Sequence, residues 1–260
     1  MPWDETLRDV WEAAGYNRFG GSVCITPPPT SEHLRVYHLT AADHAVSDIA
    51  LSRLKVARFS DANDPFELIG LNFRERNIRK VVRDFKSTKD ATTGLLCFSA
   101  NWTNPVLWSH YGIRHTGVCL GFDLSKEYLS PQFVEYESER ITAALAGDGS
   151  PLDLSDELKE KLLRTKYRDW TYEEEIRVFI ELKNAIVEGR LCFFPFSKNL
   201  RLAEVILGPQ CQLSIDHVRD LVDARHPNVL TYQARLAFKK FSVVPKESTL
   251  KEPFGSALRR

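Results

Sequence analysis

Four groups of residues in this chain have types and spacings that can do chemistry. The first is Glu204, a single carboxylate inside the otherwise apolar run Leu202-Ala203-Glu204-Val205-Ile206-Leu207. Burying a carboxylate unpaired costs several kcal/mol, so a Glu placed there is paired, at a strand edge, or functional. The second is His38 with Thr40 in the strand-like run Val36-Tyr37-His38-Leu39-Thr40, followed by Ser60, Asp61, Asn63, Asp64, Pro65 and Glu67. The third is Glu173-Glu174-Glu175-Ile176-Arg177. As a strand, it places Glu173, Glu175 and Arg177 on one face. Its Arg fork either fixes a carboxylate or grips a phosphate, unless the whole set is a solvated ion-pair ladder. Adjacent Glu residues repel, so this run needs cations nearby. The fourth is Trp108-Ser109-His110-Tyr111-Gly112, whose rings suit stacking on a planar ligand or an aromatic cluster beneath a loop.

The elements that must hold these groups follow from periodicity. Residues 4–14 read as a short amphipathic helix with Leu7, Val10 and Trp11 on one face, joined by a Gly/Pro-rich connector from Gly20 to Pro29. Helices are expected over 41–53, 72–87, 154–166 and 213–224. A Pro-started helical turn at 104–112 is closed by Gly112. Strands are expected at 36–40, 54–59, 94–99, 116–123, 133–136, 174–182, 191–196 and 202–207, with one or two more between 229 and 244. Strands outnumber helices without βα alternation. The expected class is therefore α+β, a mixed or antiparallel sheet with flanking helices. One domain is expected over 1–260: an N-terminal helix and connector (1–30), a core (31–245) and a tail (246–260), with 138–152 as an insertion. The basic residues of the second helix, Arg74, Arg76, Arg79, Lys80, Arg83, Lys86 and Lys89, read first as a solvated face, with nucleic-acid backbone contact as the sharper alternative.

Composition narrows the function. Lys plus Arg number 35 and Asp plus Glu number 35, so formal net charge is zero, which argues against long duplex held by counterion release. Five cysteines, Cys24, Cys97, Cys119, Cys192 and Cys211, match no zinc spacing and read as buried thiols in a reducing compartment. The N-terminus has no basic leader and no apolar core, and no run reaches the roughly 20 residues that span a bilayer. A cytoplasmic protein without a membrane partner is expected. There is no Walker-type loop, no Gly-x-Gly-x-x-Gly after a strand and no Gly-x-Ser-x-Gly. His110 and His115 lack further ligands at metal spacing, so no resident metal is expected.

Asn63-Asp64-Pro65-Phe66-Glu67, Cys97-Phe98-Ser99, Trp108-Ser109-His110-Tyr111, Gly117-Val118-Cys119-Leu120-Gly121-Phe122-Asp123 and Trp170-x-Tyr172-Glu173-x-Glu175-x-Arg177 resemble, in order, the bacterial domain of unknown function 2971 (DUF2971). Tyr37-His38-Leu39-Thr40 and Leu202-Ala203-Glu204-Val205-Ile206-Leu207 are in turn similar to the opening and closing elements of DarT-like ADP-ribosyltransferases. That second resemblance implies an ADP-ribosyltransferase-like fold. It also implies an NAD-dependent transferase or NAD glycohydrolase with NAD as substrate, in a toxin or phage-defence role, with a nucleic-acid or protein acceptor. Glu204, Glu175 and Glu173 would be the catalytic carboxylates. His38, Thr40, Ser60, Asn63, Trp108, His110, Tyr111 and Arg177 would bind NAD, with His38 and Glu204 in one cleft. A carboxylate aimed at the ribose stabilises the positive charge that builds as the nicotinamide bond breaks. Two alternatives stay open: a non-catalytic nucleotide-binding or sensing module, and a metal-dependent nuclease using Asp61, Asp64, Glu173 and Glu175.

Overall fold

The computed structural model describes residues 25, 28, 30–72, 76–142 and 155–250; the expected 4–14 helix and the end of the tail lie outside them. In chain order the elements are β1 (His33–Thr40), α1 (Ala42–Leu51), β2 (Arg53–Val56), α2 (Arg76–Thr92), β3 (Thr93–Ser99), α3 (Pro105–His110), β4 (Val118–Ser125), α4 (Lys126–Leu129), β5 (Gln132–Phe133) and β6 (Glu135–Glu137). They continue with α5 (Asp156–Arg164), β7 (Thr165–Tyr167), β8 (Glu175–Glu181), β9 (Ile186–Glu188), β10 (Leu191–Pro195), β11 (Leu200–Leu207), α6 (Ile215–Arg225), β12 (Leu230–Leu236) and β13 (Val243–Pro245). The class is α+β with mostly antiparallel pairing. Among the described residues no helix is long and apolar enough to cross a membrane.

Contacts divide the chain into two compact units. Unit 1 takes residues 1–53, 98–130 and 196–260, and unit 2 takes 54–97 and 131–195.

Unit 1 is organised on the strand order β13-β12-β11-β4-β1. Every residue of β4 is buried, which is why Val-Cys-Leu-Gly-Phe-Asp-Leu-Ser reads as a nearly continuous apolar run rather than an alternating one. β1 and β11 flank it antiparallel, while β11 and β12 are parallel and α6 supplies the crossover between them. One face is covered by α1 and α6, which pack on each other; its spine is the ring series His38, Phe98, Phe122, Phe196 and His226. Trp102 and Tyr232 meet edge-on at 6.0 Å on the other face. α3 starts where the sequence says: the Asn104 side chain accepts from Val106 N at 2.9 Å, and Pro105 opens the helix.

Unit 2 holds the strand order β3-β8-β5, a β2-β10-β9 sheet and the short parallel pair β6-β7. Its core joins two clusters, Leu71, Val82 and Leu162, and Phe59, Leu68, Leu95 and Leu163, both touched by Phe85. α2 turns Val82 inward, leaves Arg79, Lys80 and Arg83 exposed, and folds Lys86 back so that Nζ donates to Glu67 O at 2.9 Å. The strand expected to begin at Glu174 begins at Glu175. Arg168–Glu173 is a 3-10 turn, and Glu174 takes a left-handed conformation at φ 44°.

Candidate functional site

Glu204 and the Glu173–Arg177 set belong to two buried networks, one in each unit. In unit 2 the centre is Arg177, only 1% exposed. Nη1 and Nη2 donate to Glu67 Oε1 and Oε2 at 2.7 and 2.9 Å, Nε and Nη2 to Glu175 Oε1 and Oε2 at 2.8 and 3.1 Å, and Nη1 again to Leu163 O at 2.8 Å. All five N–H donors of the guanidinium are committed. Arg177 therefore has none left for a pyrophosphate, and its expected role as a phosphate grip is corrected to that of a core clamp. Lys166 Nζ donates to Glu173 Oε2 at 2.5 Å and Glu175 Oε2 at 3.1 Å, and lies 4.9 Å from the Trp170 ring centre.

Electrostatics fixes the charge states of this network. Burial alone would raise the Glu175 carboxyl, but the Arg177 and Lys166 cations outweigh it and hold it at about 2. Burial works against the Lys166 ammonium, yet Glu175 and Glu173 keep it above its usual value. The neighbouring Cys97 thiol is pushed up by burial and then by Glu175. Glu173 and Glu175, expected as catalytic carboxylates, are thus sealed and neutralised by two cations, of which the sequence points to Arg177 but not to Lys166. Glu67 accounts for itself in the same way, as the partner of Arg177. Among the described residues no group of three His, Cys, Asp or Glu is placed to hold a metal ion. Asp61 sits 3.9 Å from Lys55, and Asp64 accepts from Phe66 N at 2.9 Å.

In unit 1 the centre is Arg35. Its Nε donates to Asp123 Oδ1 at 2.7 Å and its Nη1 to Glu204 Oε1 at 2.6 Å; Tyr232 Oη donates to Glu204 Oε2 at 3.4 Å. Arg201 reaches Asp123 Oδ2 at 2.5 Å from a half-exposed position. Glu204 is 0% exposed. Burial opposes the Arg35 charge, but Glu204 and then Asp123 hold the guanidinium protonated. Gly121 makes the approach possible. A Cβ there would lie 3.0 Å from the Glu204 Cβ and 3.2 Å from the Tyr37 ring.

Register decides what Glu204 can meet. In β1, Arg35 pairs with Asp123, Tyr37 with Gly121 and His38 with Leu120; in β11, Glu204 pairs with Gly121 and Val205 with Leu120. Glu204 therefore leaves the sheet on the side of Tyr37 and Arg35, and His38 on the opposite side, with its ring centre 6.1 Å from that of Phe98. The expected His38–Glu204 cleft is corrected. The cause is a bulge at Ala203, where the pairing shifts between Leu202 and Glu204. Without it, alternation from Leu202 would have placed Glu204 opposite Leu120, on the face of His38.

The remaining expected ligand contacts are dispersed. Thr40 ends β1, half-buried. Ser60 and Asn63 are exposed in unit 2, where Ser60 N donates to Asp90 Oδ1 at 2.8 Å. Trp108 is 0% exposed and its Nε1 donates to Trp102 O at 2.6 Å, so it is a core anchor rather than a stacking platform. His110 is exposed and Tyr111 half-buried, their rings 6.4 Å apart. Beyond them Ile113, Arg114 and His115 take φ of 46°, 52° and 71° in succession, a left-handed turn closed by Gly117 N to Gly112 O at 2.8 Å. Such residues store strain, and no residue type here announces it.

Unit 2 also contains an open cleft of about 310 Å³. Its walls include Phe66 and Tyr167, 46% and 45% exposed, with Arg140 and Lys166 as cations and Asp64 and Glu137 as carboxylates. The Arg140 guanidinium lies 4.9 Å from the Phe66 ring centre. Lys166 links this cleft to the buried network behind it. The signal missed in the sequence was Phe66, a large ring directly after Asp64-Pro65 that is 46% exposed.

No family model, no curated protein and no solved structure matches the chain.

Proposed function

We propose that this protein binds a nucleotide-like small molecule in the cleft of unit 2, without transferring it. The carrying observation is the pair of half-exposed rings, Phe66 and Tyr167, on a cleft that also presents Arg140, Glu137 and Glu139, with the buried Lys166 and Asp64 at its wall. Rings supply stacking faces for a base, the Arg140 guanidinium meets phosphate, and the Glu137 and Glu139 carboxylates accept from sugar hydroxyls or an exocyclic amine. The DUF2971-like motifs fit such a module, since Asp64 and Phe66 lie on the cleft and Glu67, Glu175 and Arg177 lock the scaffold behind it. The NAD-consuming reading, with its ADP-ribosyltransferase-like fold, drew on His38 together with Glu204. Those residues leave the sheet on opposite faces, and Glu204 is bonded to Arg35, so binding without transfer is the reading these positions favour.

Thermal shift with NAD, ADP-ribose and nicotinamide tests the proposal. A ligand at about a hundredfold excess over Kd stabilises the fold by roughly 2.7 kcal/mol, a shift of several degrees. Phe66→Ser and Tyr167→Ser are each expected to weaken binding about tenfold, the scale of one lost stacking contact. No shift with any of the three at millimolar concentration, or a shift that neither variant reduces, refutes it. Nicotinamide released from NAD by the wild type and lost in Glu204→Gln would restore the transferase reading instead.

A further inference from the structure

The hairpin between β12 and β13 carries the most exposed apolar side chains among the described residues. The strands pair antiparallel up to Leu236 opposite Val243, and Ala237 N to Ser242 O closes the loop at 2.9 Å. The tip is Phe238-Lys239-Lys240-Phe241, with Phe238 90% and Phe241 102% exposed. Apart from Arg235 over Phe238, no described residue of unit 1 shields these rings, and leaving two Phe side chains in water forgoes the burial that normally stabilises them. Lys239 and Lys240 have no ion-pair partner among the described residues, and the Arg235 guanidinium lies 4.5 Å from the Phe238 ring centre. Beside the tip runs a groove of about 730 Å³ whose apolar lining includes Ile25, Ala237, Val244 and Leu250, with Arg235, Lys239 and Lys240 among its charged residues.

We infer that this hairpin docks on an anionic lipid bilayer surface, with Phe238 and Phe241 entering the interface and Arg235, Lys239 and Lys240 meeting the headgroups. Two clear rings at the outermost point of a cationic loop are the arrangement that interfacial binding uses: apolar area enters the acyl boundary while cations stay at headgroup level. Single-stranded nucleic acid is the competing occupant, because rings and lysines also serve stacking and phosphate contact. One observation favours lipid: the adjoining groove has an apolar lining in which the cations Arg235, Lys239 and Lys240 outnumber Glu247, which suits an acyl chain under an anionic headgroup better than a base.

The test is sedimentation of the full chain with vesicles of phosphatidylcholine alone and of phosphatidylcholine containing phosphatidylserine, alongside anisotropy with a fluorescent oligothymidylate. Binding to the anionic vesicles only, released by salt, is expected. Lys239→Gln with Lys240→Gln should weaken it by roughly 25-fold, about fivefold for each charge removed near the surface. Phe238→Ser with Phe241→Ser should weaken it at least about tenfold, and because both rings are exposed the variant keeps the wild-type melting curve. Three outcomes overturn the inference: no binding to anionic vesicles, binding untouched by the Phe pair, or oligothymidylate binding tighter than vesicle binding and lost in the same variants.

Discussion

Arg177→Met is the sharpest probe of the unit 2 network. The wild-type cluster sets three carboxylates, Glu67, Glu173 and Glu175, against the cations Arg177 and Lys166, all of them buried. Methionine matches much of the volume of the arginine stem but removes five hydrogen bonds and one positive charge. Three buried carboxylates are then left facing one ammonium. Removing one member of a buried ion pair typically costs about 3–5 kcal/mol, because the remaining charge stays buried and unpaired. In a chain of this length that corresponds to a fall of roughly 10 °C in Tm. Glu67→Gln is the milder case: it leaves the Glu175 bonds intact and turns one acceptor toward the guanidinium into a donor, for a loss of about 1–3 kcal/mol. The internal control is the exposed pair Lys183–Glu181 at 3.1 Å, where Lys183→Ala should stay within about 0.5 kcal/mol. Urea unfolding followed by circular dichroism reads all three. An Arg177→Met variant no less stable than Lys183→Ala would refute the view that this network is sealed and mutually dependent.

Two further outcomes follow from the geometry of unit 1. Burial raises the Asp48 carboxyl from 3.8 to about 7, with Arg53 pulling it partly back. Between those values the fold keeps a proton that the unfolded chain has released, so this group makes stability fall as pH rises through the window. Asp48→Asn should therefore be stabilising at about pH 5 and more strongly stabilising at about pH 8, checked by Tm at both; the opposite order would reverse the assignment. Gly121→Ala places a methyl group 3.0 Å from the Glu204 Cβ and 3.2 Å from the Tyr37 ring, and should cost about 1–3 kcal/mol in urea unfolding. An unchanged midpoint would show that β1 and β11 give way there.

The sequence alone determined the local structure and the demand for partners. Asn104-Pro105 predicts the start of α3, the apolar run through β4 predicts a strand, and strand excess without βα alternation predicts the α+β class. Polar residues in apolar runs announced that they needed company: Glu204 sits in one, and the three Glu before Arg177 required cations. These properties depend on the order of neighbours along the chain, which a sequence states directly. Tertiary structure decided who the partners are. Arg35 meets Glu204 across 169 positions, and Arg177 meets Glu67 across 110. Lys166 was invisible as the counterion because it lies on a different short strand. Above all, one extra residue at Ala203 turned Glu204 from the face of His38 to that of Arg35. A strand changes face at every residue, so a single bulge inverts the meaning of a motif while leaving its letters unchanged.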